Sequence, residues 1–185
     1  MSWYHRIPII GGLLEFGEDV SYEVKRGRLE KLDRDEPIEF TDEVLGTFRA
    51  RRELCWFETK RQWNGTQIRL TLDGEWNKPE EISTDTAAEL ALSARKLWDD
   101  ETRWLKRCEE FVVRDLYELA HSWAQDREEA LTKEEFLDRI KPQSLGVSPE
   151  GDFDVWFNDG DVFAGHGILV YGTLEKGPEG AEMHG

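Results

Sequence analysis

The strongest constraint on this chain is a helical stripe set between two β-patterned stretches. Leu90, Ala94, Leu97, Leu105, Cys108, Val112, Leu116, Leu119 and Trp123 follow one another at helical spacing, with Glu101 the one residue out of character. Unbroken over 84–124, such a helix would span roughly 60 Å at about 1.5 Å per residue, long for a domain of this size. A break is therefore expected near Asp99-Asp100-Glu101-Thr102, with Thr102 capping a second helix. Ser83-Thr84-Asp85 offers capping side chains for the first helix, and Thr86 with Glu89 has capping-box spacing. Thr132 with Glu135 repeats that spacing and opens a short helix with Phe136, Leu137 and Ile140 on one side, which Pro142 ends.

An amphipathic stripe must be buried against something, and strands on both sides supply the partner. Val20–Val24, Leu54–Trp63 and Thr66–Leu72 read as strands before it. Asn64-Gly65 accepts the positive φ angles of a two-residue type I′ turn, and Ile68, Leu70 and Leu72 alternate with polar neighbours, so this hairpin is the sharpest local signal. The charged stretch 25–40 reads as a loop. After the helices, Leu145 and Val147, then Phe153, Val155 and Phe157, then Gly167 to Tyr171 form a three-stranded meander, with turns at Pro149-Glu150-Gly151 and Asn158-Asp159-Gly160-Asp161. The expected fold is α+β: antiparallel sheet built from N-terminal and C-terminal strands and packed against the central helices. Residues 1–41 form an N-terminal extension with some β character, 42–174 the domain, and 175–185 a flexible, Gly- and Glu-rich tail.

Charge narrows the function classes. The net charge of −16 argues against direct nucleic-acid binding, which needs a basic footprint. It is uneven: residues 1–77 contribute −3, residues 78–141 contribute −6 and residues 142–185 contribute −7, with Lys176 the last segment's one cation. A partner that reads this charge is expected on residues 78–185, with the N-terminal β region as scaffold. No apolar run approaches a membrane span, no secretory signal is legible, and Cys55 and Cys108 read as buried thiols of a reducing cytoplasm, Cys55 within a strand.

Few constellations carry chemistry. The four histidines are scattered, and the zinc-finger, His-Glu-x-x-His, EF-hand, nucleophile-elbow and phosphate-loop patterns are missing, so neither a metal nor another cofactor is expected. The densest polar cluster is Asp159, Asp161 and His166, which could bind a divalent cation or pair a general base with an orienting carboxylate. Turn chemistry explains the same Asn, Asp and Gly residues without a ligand. Trp98, Trp104 and Trp123 fall on or beside the apolar stripe and read as core. Trp56 and Trp63, an odd number of positions apart, lie on opposite faces of one strand, so one of them is a candidate interaction anchor.

Asp42 to Phe48, Trp63-Asn64-Gly65, Leu116 to Trp123, Thr132 to Phe136 and Asp159 to His166 together resemble a family of uncharacterised bacterial proteins, a domain of unknown function, over about residues 42–174. The resemblance implies a bacterial cytoplasmic α+β domain and carries over no catalytic residue. The leading expectation is a non-enzymatic module that binds a basic protein through an acidic surface, as immunity proteins bind toxins. The alternatives are a metal-dependent hydrolase using Asp159, Asp161 and His166, and a DNA mimic with carboxylates at phosphate-like spacing.

Overall fold

A computed structural model describes residues 37–123 and 131–185. Strands β1 (Glu39–Asp42), β2 (Gly46–Arg51), β3 (Trp56–Trp63) and β4 (Thr66–Leu72) precede helices α1 (Thr84–Asp99), α2 (Glu101–Trp123) and α3 (Lys133–Arg139). Strands β5 (Pro142–Val147), β6 (Asp152–Phe157), β7 (Gly167–Thr173) and β8 (Gly177–His184) follow. All eight join one sheet in chain order, and every neighbouring pair is antiparallel except β4–β5, which is parallel from Arg69 beside Ser144 to Leu72 beside Val147. The α+β architecture agrees with the sequence pattern, while the parallel joint, bridged by the whole helical segment, is an addition to it.

Alternation along each strand sends one set of side chains to the helices. Phe48, Phe57, Trp63, Ile68, Leu70, Leu72, Leu145, Val147, Phe153, Val155, Phe157, Ile168 and Val170 meet Ala87, Leu90, Ala94, Leu97, Cys108, Val112 and Leu116 in one buried core. Trp63 is fully buried, and its indole N–H donates to the Leu97 carbonyl at 3.4 Å. Trp56 sits on the opposite sheet face, half-buried, and donates to Glu58 at 3.1 Å.

The predicted helix break occurs: α1 ends at Asp99, and Asp100 leaves the helical region at φ −138°, ψ 52°. Thr102 does not cap α2. The Asn64-Gly65 turn, with φ of 48° and 74°, docks on the break instead. The Asn64 backbone N–H donates to the Glu101 carboxylate at 3.0 Å, its amide Nδ2 to the Glu101 carbonyl at 2.7 Å, and Thr102 Oγ1 donates to Asn64 Oδ1 at 3.1 Å. Glu101 interrupts the apolar stripe because it receives the hairpin. Ser83, rather than the Thr86/Glu89 pair, caps α1 through the Thr86 N–H, whereas Thr132 and Glu135 form the full capping box of α3.

Two polar clamps fix the sheet's ends. On β1, Asp42 accepts the Val44 and Leu45 N–H groups and meets Arg95 of α1 at 2.8 Å. Burial would raise its carboxyl, but the Arg95 hydrogen bonds and those two amides outweigh this and hold it below the usual range. At the other edge, α2 guards β8: Asp115 accepts the Ala181 N–H at 2.9 Å, Arg114 donates to the Glu179 carbonyl at 3.2 Å, and Arg107 to the Lys176 carbonyl at 2.9 Å. Side chains thus occupy backbone groups that an open edge would offer to another chain.

Other expectations change. Residues 177–184 form β8, paired with β7 from Gly167 beside His184 to Thr173 beside Gly177, so the stretch read as a flexible tail is part of the sheet. Among the described residues the first strand begins at Glu39, inside the stretch read as extension and loop, and the expected strand at Val20–Val24 lies outside the described residues. Cys55 occupies the β2–β3 turn at φ 57°, half-buried, rather than a strand, whereas Cys108 is buried as expected and its thiol is pushed up to about 12 by burial. Trp123 is 44% exposed instead of core, its ring edge-on to Phe163 and His166. Among the described residues no helix is long and apolar enough to cross a membrane.

The hairpin gives a clean test of backbone strain. Nothing lies within 4 Å of a Cβ placed on Gly65, so Gly65→Ala is expected to cost about 1 kcal/mol through the positive φ alone, read as a lowered urea midpoint.

Candidate functional site

The outward residues of the sheet carry its chemistry. Along β6, Phe153, Val155 and Phe157 point to the helices, leaving Asp152, Asp154 and Trp156 on the other face, each half-buried. Among the described residues the three helices lie on the core side, so Asp154 is flanked instead by Gly146 of β5 and Tyr171 of β7. Its carboxyl lies across Gly146, where a methyl group would collide with it, and Tyr171 lies in the same way over Gly180 of β8. Burial, reinforced by the charge of Asp73 and only partly offset by a hydrogen bond from Trp156, pushes the Asp154 carboxyl up to about 7.

Asp154 belongs to a crowd of acids at one end of the sheet, where the β4–α1 segment, the β5–β6 turn and the β7–β8 turn converge. Asp152 is raised by burial and then by Glu150, Glu179 and Glu75, partly offset by Lys176. Tyr171 is raised by burial, by the charge of Glu182 and by its hydrogen bond to that residue, and then by Asp115 and Glu179. The Cys55 thiol is raised by burial and then by Asp73, Glu81, Glu80 and Glu53. Lys176 is held by Glu179 at 3.2 Å. The patch therefore stores like-charge repulsion around a half-buried Trp156 and Tyr171. Asp73, Glu75, Glu80 and Glu81 join it from the β4–α1 segment, so the charged surface is not confined to the C-terminal part of the chain.

The residues singled out from sequence fall elsewhere. Asp159 is buried, and its carboxylate accepts the backbone N–H groups of Asp161 at 3.2 Å, Phe163 at 2.8 Å and Gly165 at 2.8 Å. It staples the β6–β7 loop. Asp161 is exposed with φ 59°. His166 is half-buried, its ring 5.8 Å from that of Trp123. The loop therefore joins Asp159 to Asp161 through a backbone contact and turns His166 toward an aromatic neighbour. Among the described residues no three His, Cys, Asp or Glu side chains are grouped to hold a metal ion. Trp56 shares the outer face with the acidic patch, and Trp63 belongs to the core.

Asp154 escapes a reading of sequence because the alternation of β6 marks it as an ordinary solvent-side residue. Its unusual state comes from lying over Gly146, a neighbour that only the β5–β6 register supplies. The legible signal was the surplus of acids over one lysine in residues 142–185.

The model of one family, an uncharacterized protein conserved in bacteria (DUF2262), matches residues 42–183. No curated protein and no solved structure matches the chain.

Two substitutions separate the site from its scaffold. Asp154 holds its proton more tightly folded than unfolded, so its contribution to stability is full below about pH 4 and is lost as pH rises through about 7. Asp154→Asn is expected to match the native urea midpoint at pH 4 and to exceed it at pH 8. Asp159→Ala strands three amides and is expected to cost about 3 kcal/mol in denaturant unfolding at neutral pH.

Proposed function

The chain belongs to the DUF2262 family of uncharacterised proteins conserved in bacteria, and from that premise we propose that it is a non-enzymatic binding module. The acidic patch at one end of its outer sheet face holds a basic protein partner, in the manner of an immunity protein and its toxin. The observation that carries this reading is the raising of two carboxyls at that patch, by burial first and then by neighbouring acids: Asp152 by Glu150, Glu179 and Glu75, and Asp154 by Asp73. A cationic surface docking there relieves repulsion that the folded protein otherwise bears, and the same field speeds encounter at low salt. Trp156 and Tyr171, half-buried between the acids, supply the apolar contact that a charged rim lacks. Carboxylates paired elsewhere, such as Asp42 with Arg95, serve the fold and lie outside the binding face.

The test is a pull-down from bacterial lysate at low and high salt, using the native chain and a variant carrying Glu150→Lys, Asp152→Lys and Glu179→Lys. A basic protein is expected to be retained by the native chain at low salt, released at high salt and missed by the variant. Equal recovery by the variant, or recovery of no basic protein, overturns the reading.

A further inference from the structure

A groove opens where α1 meets the β5–β6 and β7–β8 turns. Ser93 and Lys96 of α1, Glu150 and Gly151 of the first turn, and Leu174 and Glu175 of the second line a cavity of about 450 Å³. That size falls within the roughly 300–1,000 Å³ of small-molecule sites. Its walls are tied together. The Leu174 N–H donates to the Gly151 carbonyl at 2.8 Å, which joins one turn to the other. The Trp104 indole N–H donates to the Lys96 carbonyl at 3.1 Å, and the Trp104 ring stands edge-on to Phe153 of β6, which joins α1 through α2 to the sheet. Glu150 holds φ 64°, a left-handed conformation that favours Gly or Asn, and Gly151 follows at 80°. The turn thus sets an acid on the groove where turn chemistry alone would take a neutral residue.

Charges of both signs line this groove without meeting. Lys96, Glu150 and Glu175 are exposed, and among the described residues none of the three enters an ion pair or a side-chain hydrogen bond. Ser93 sits one turn before Lys96 on the same helix face, and the half-buried Leu174 gives the groove an apolar wall. We propose that the groove binds a small zwitterion, a free amino acid or a short peptide. Its carboxylate lies on Lys96 and Ser93, its ammonium between Glu150 and Glu175, and its apolar part against Leu174. A ligand that carries both charges answers both walls at once, whereas a lone anion would meet the two acids and a lone cation would meet Lys96. The site is independent of the basic protein partner, although Glu150 borders both.

The test is an NMR titration of the full chain that follows the backbone amides of Ser93, Gly151 and Glu175, with L-leucine and L-leucyl-L-leucine as probes. Saturable shifts of these amides are expected, with a Kd on the order of 1 mM for the better probe, and which probe is better tells free amino acid from short peptide. The amide and the N-acetyl derivative of that probe, which lack the carboxylate and the ammonium respectively, are each expected to bind about ten-fold more weakly. Lys96→Met is expected to weaken the parent probe about ten-fold, as is the pair Glu150→Gln and Glu175→Gln, in proteins whose remaining amide spectra are unchanged. The zwitterion site is overturned by the lack of a saturable shift with either probe up to about 20 mM. Derivatives that bind as well as the parent, or variants that bind as the native chain does, overturn it equally.

Discussion

The rest of the structure depends on the parallel pairing of β4 with β5. Antiparallel neighbours can be joined by tight turns, but a parallel pair needs a long crossover, and here that crossover is the entire helical segment. The ladder from Arg69–Ser144 to Leu72–Val147 fuses two meanders into one eight-stranded sheet. It also aligns the apolar sides of both meanders, so that Leu70 and Leu72 continue into Leu145 and Val147 as a single surface for α1 and α2. A slip of one residue at this joint would turn the C-terminal meander over, carrying Phe153, Val155 and Phe157 to the outside and Asp154 into the core. The hydrophobic cost of that exchange locks the register, and the register in turn places Gly146 beneath Asp154.

The carboxylates divide by what answers their charge. Asp115, hydrogen-bonded by Arg114 and by the Ala181 amide, is held below the ordinary range. Asp42, with Arg95 and two amides, is lowered in spite of its burial. These acids tie β1 to α1 and β8 to α2. Asp152 and Asp154 go the other way, raised by burial and by other acids. The same sheet thus carries paired acids at its edges and acids raised by one another's neighbourhood at one end.

Much of the architecture was legible before any coordinates. The Asn64-Gly65 hairpin, the helix break, the Thr132–Glu135 capping box and the inward Phe153-Val155-Phe157 alternation follow from rules that operate over a few residues. Where reading failed, a distant partner had intervened. Gly177–His184 looked like a tail because it is rich in Gly, Pro and Glu, and it becomes a strand because β7 supplies its hydrogen bonds and α2 covers its free edge. Thr102 looked like a cap and was taken instead by Asn64, and Asp159 looked like a ligand although three amides of its own loop engage it. Trp123 continues the helical stripe past the point where the sheet can cover it.

By itself the sequence determined the period of each segment, the places where the chain must turn, and the excess of acids, because these are properties of neighbouring residues and of composition. Only the tertiary structure decided which acids are answered and which are not. A carboxyl's proton affinity depends on what lies within a few ångströms of it, and the neighbours of Asp154, namely Gly146, Tyr171 and the charge of Asp73, come from β5, from β7 and from the end of β4. Those strands meet because of the β4–β5 joint, a contact between residues more than seventy positions apart in the chain.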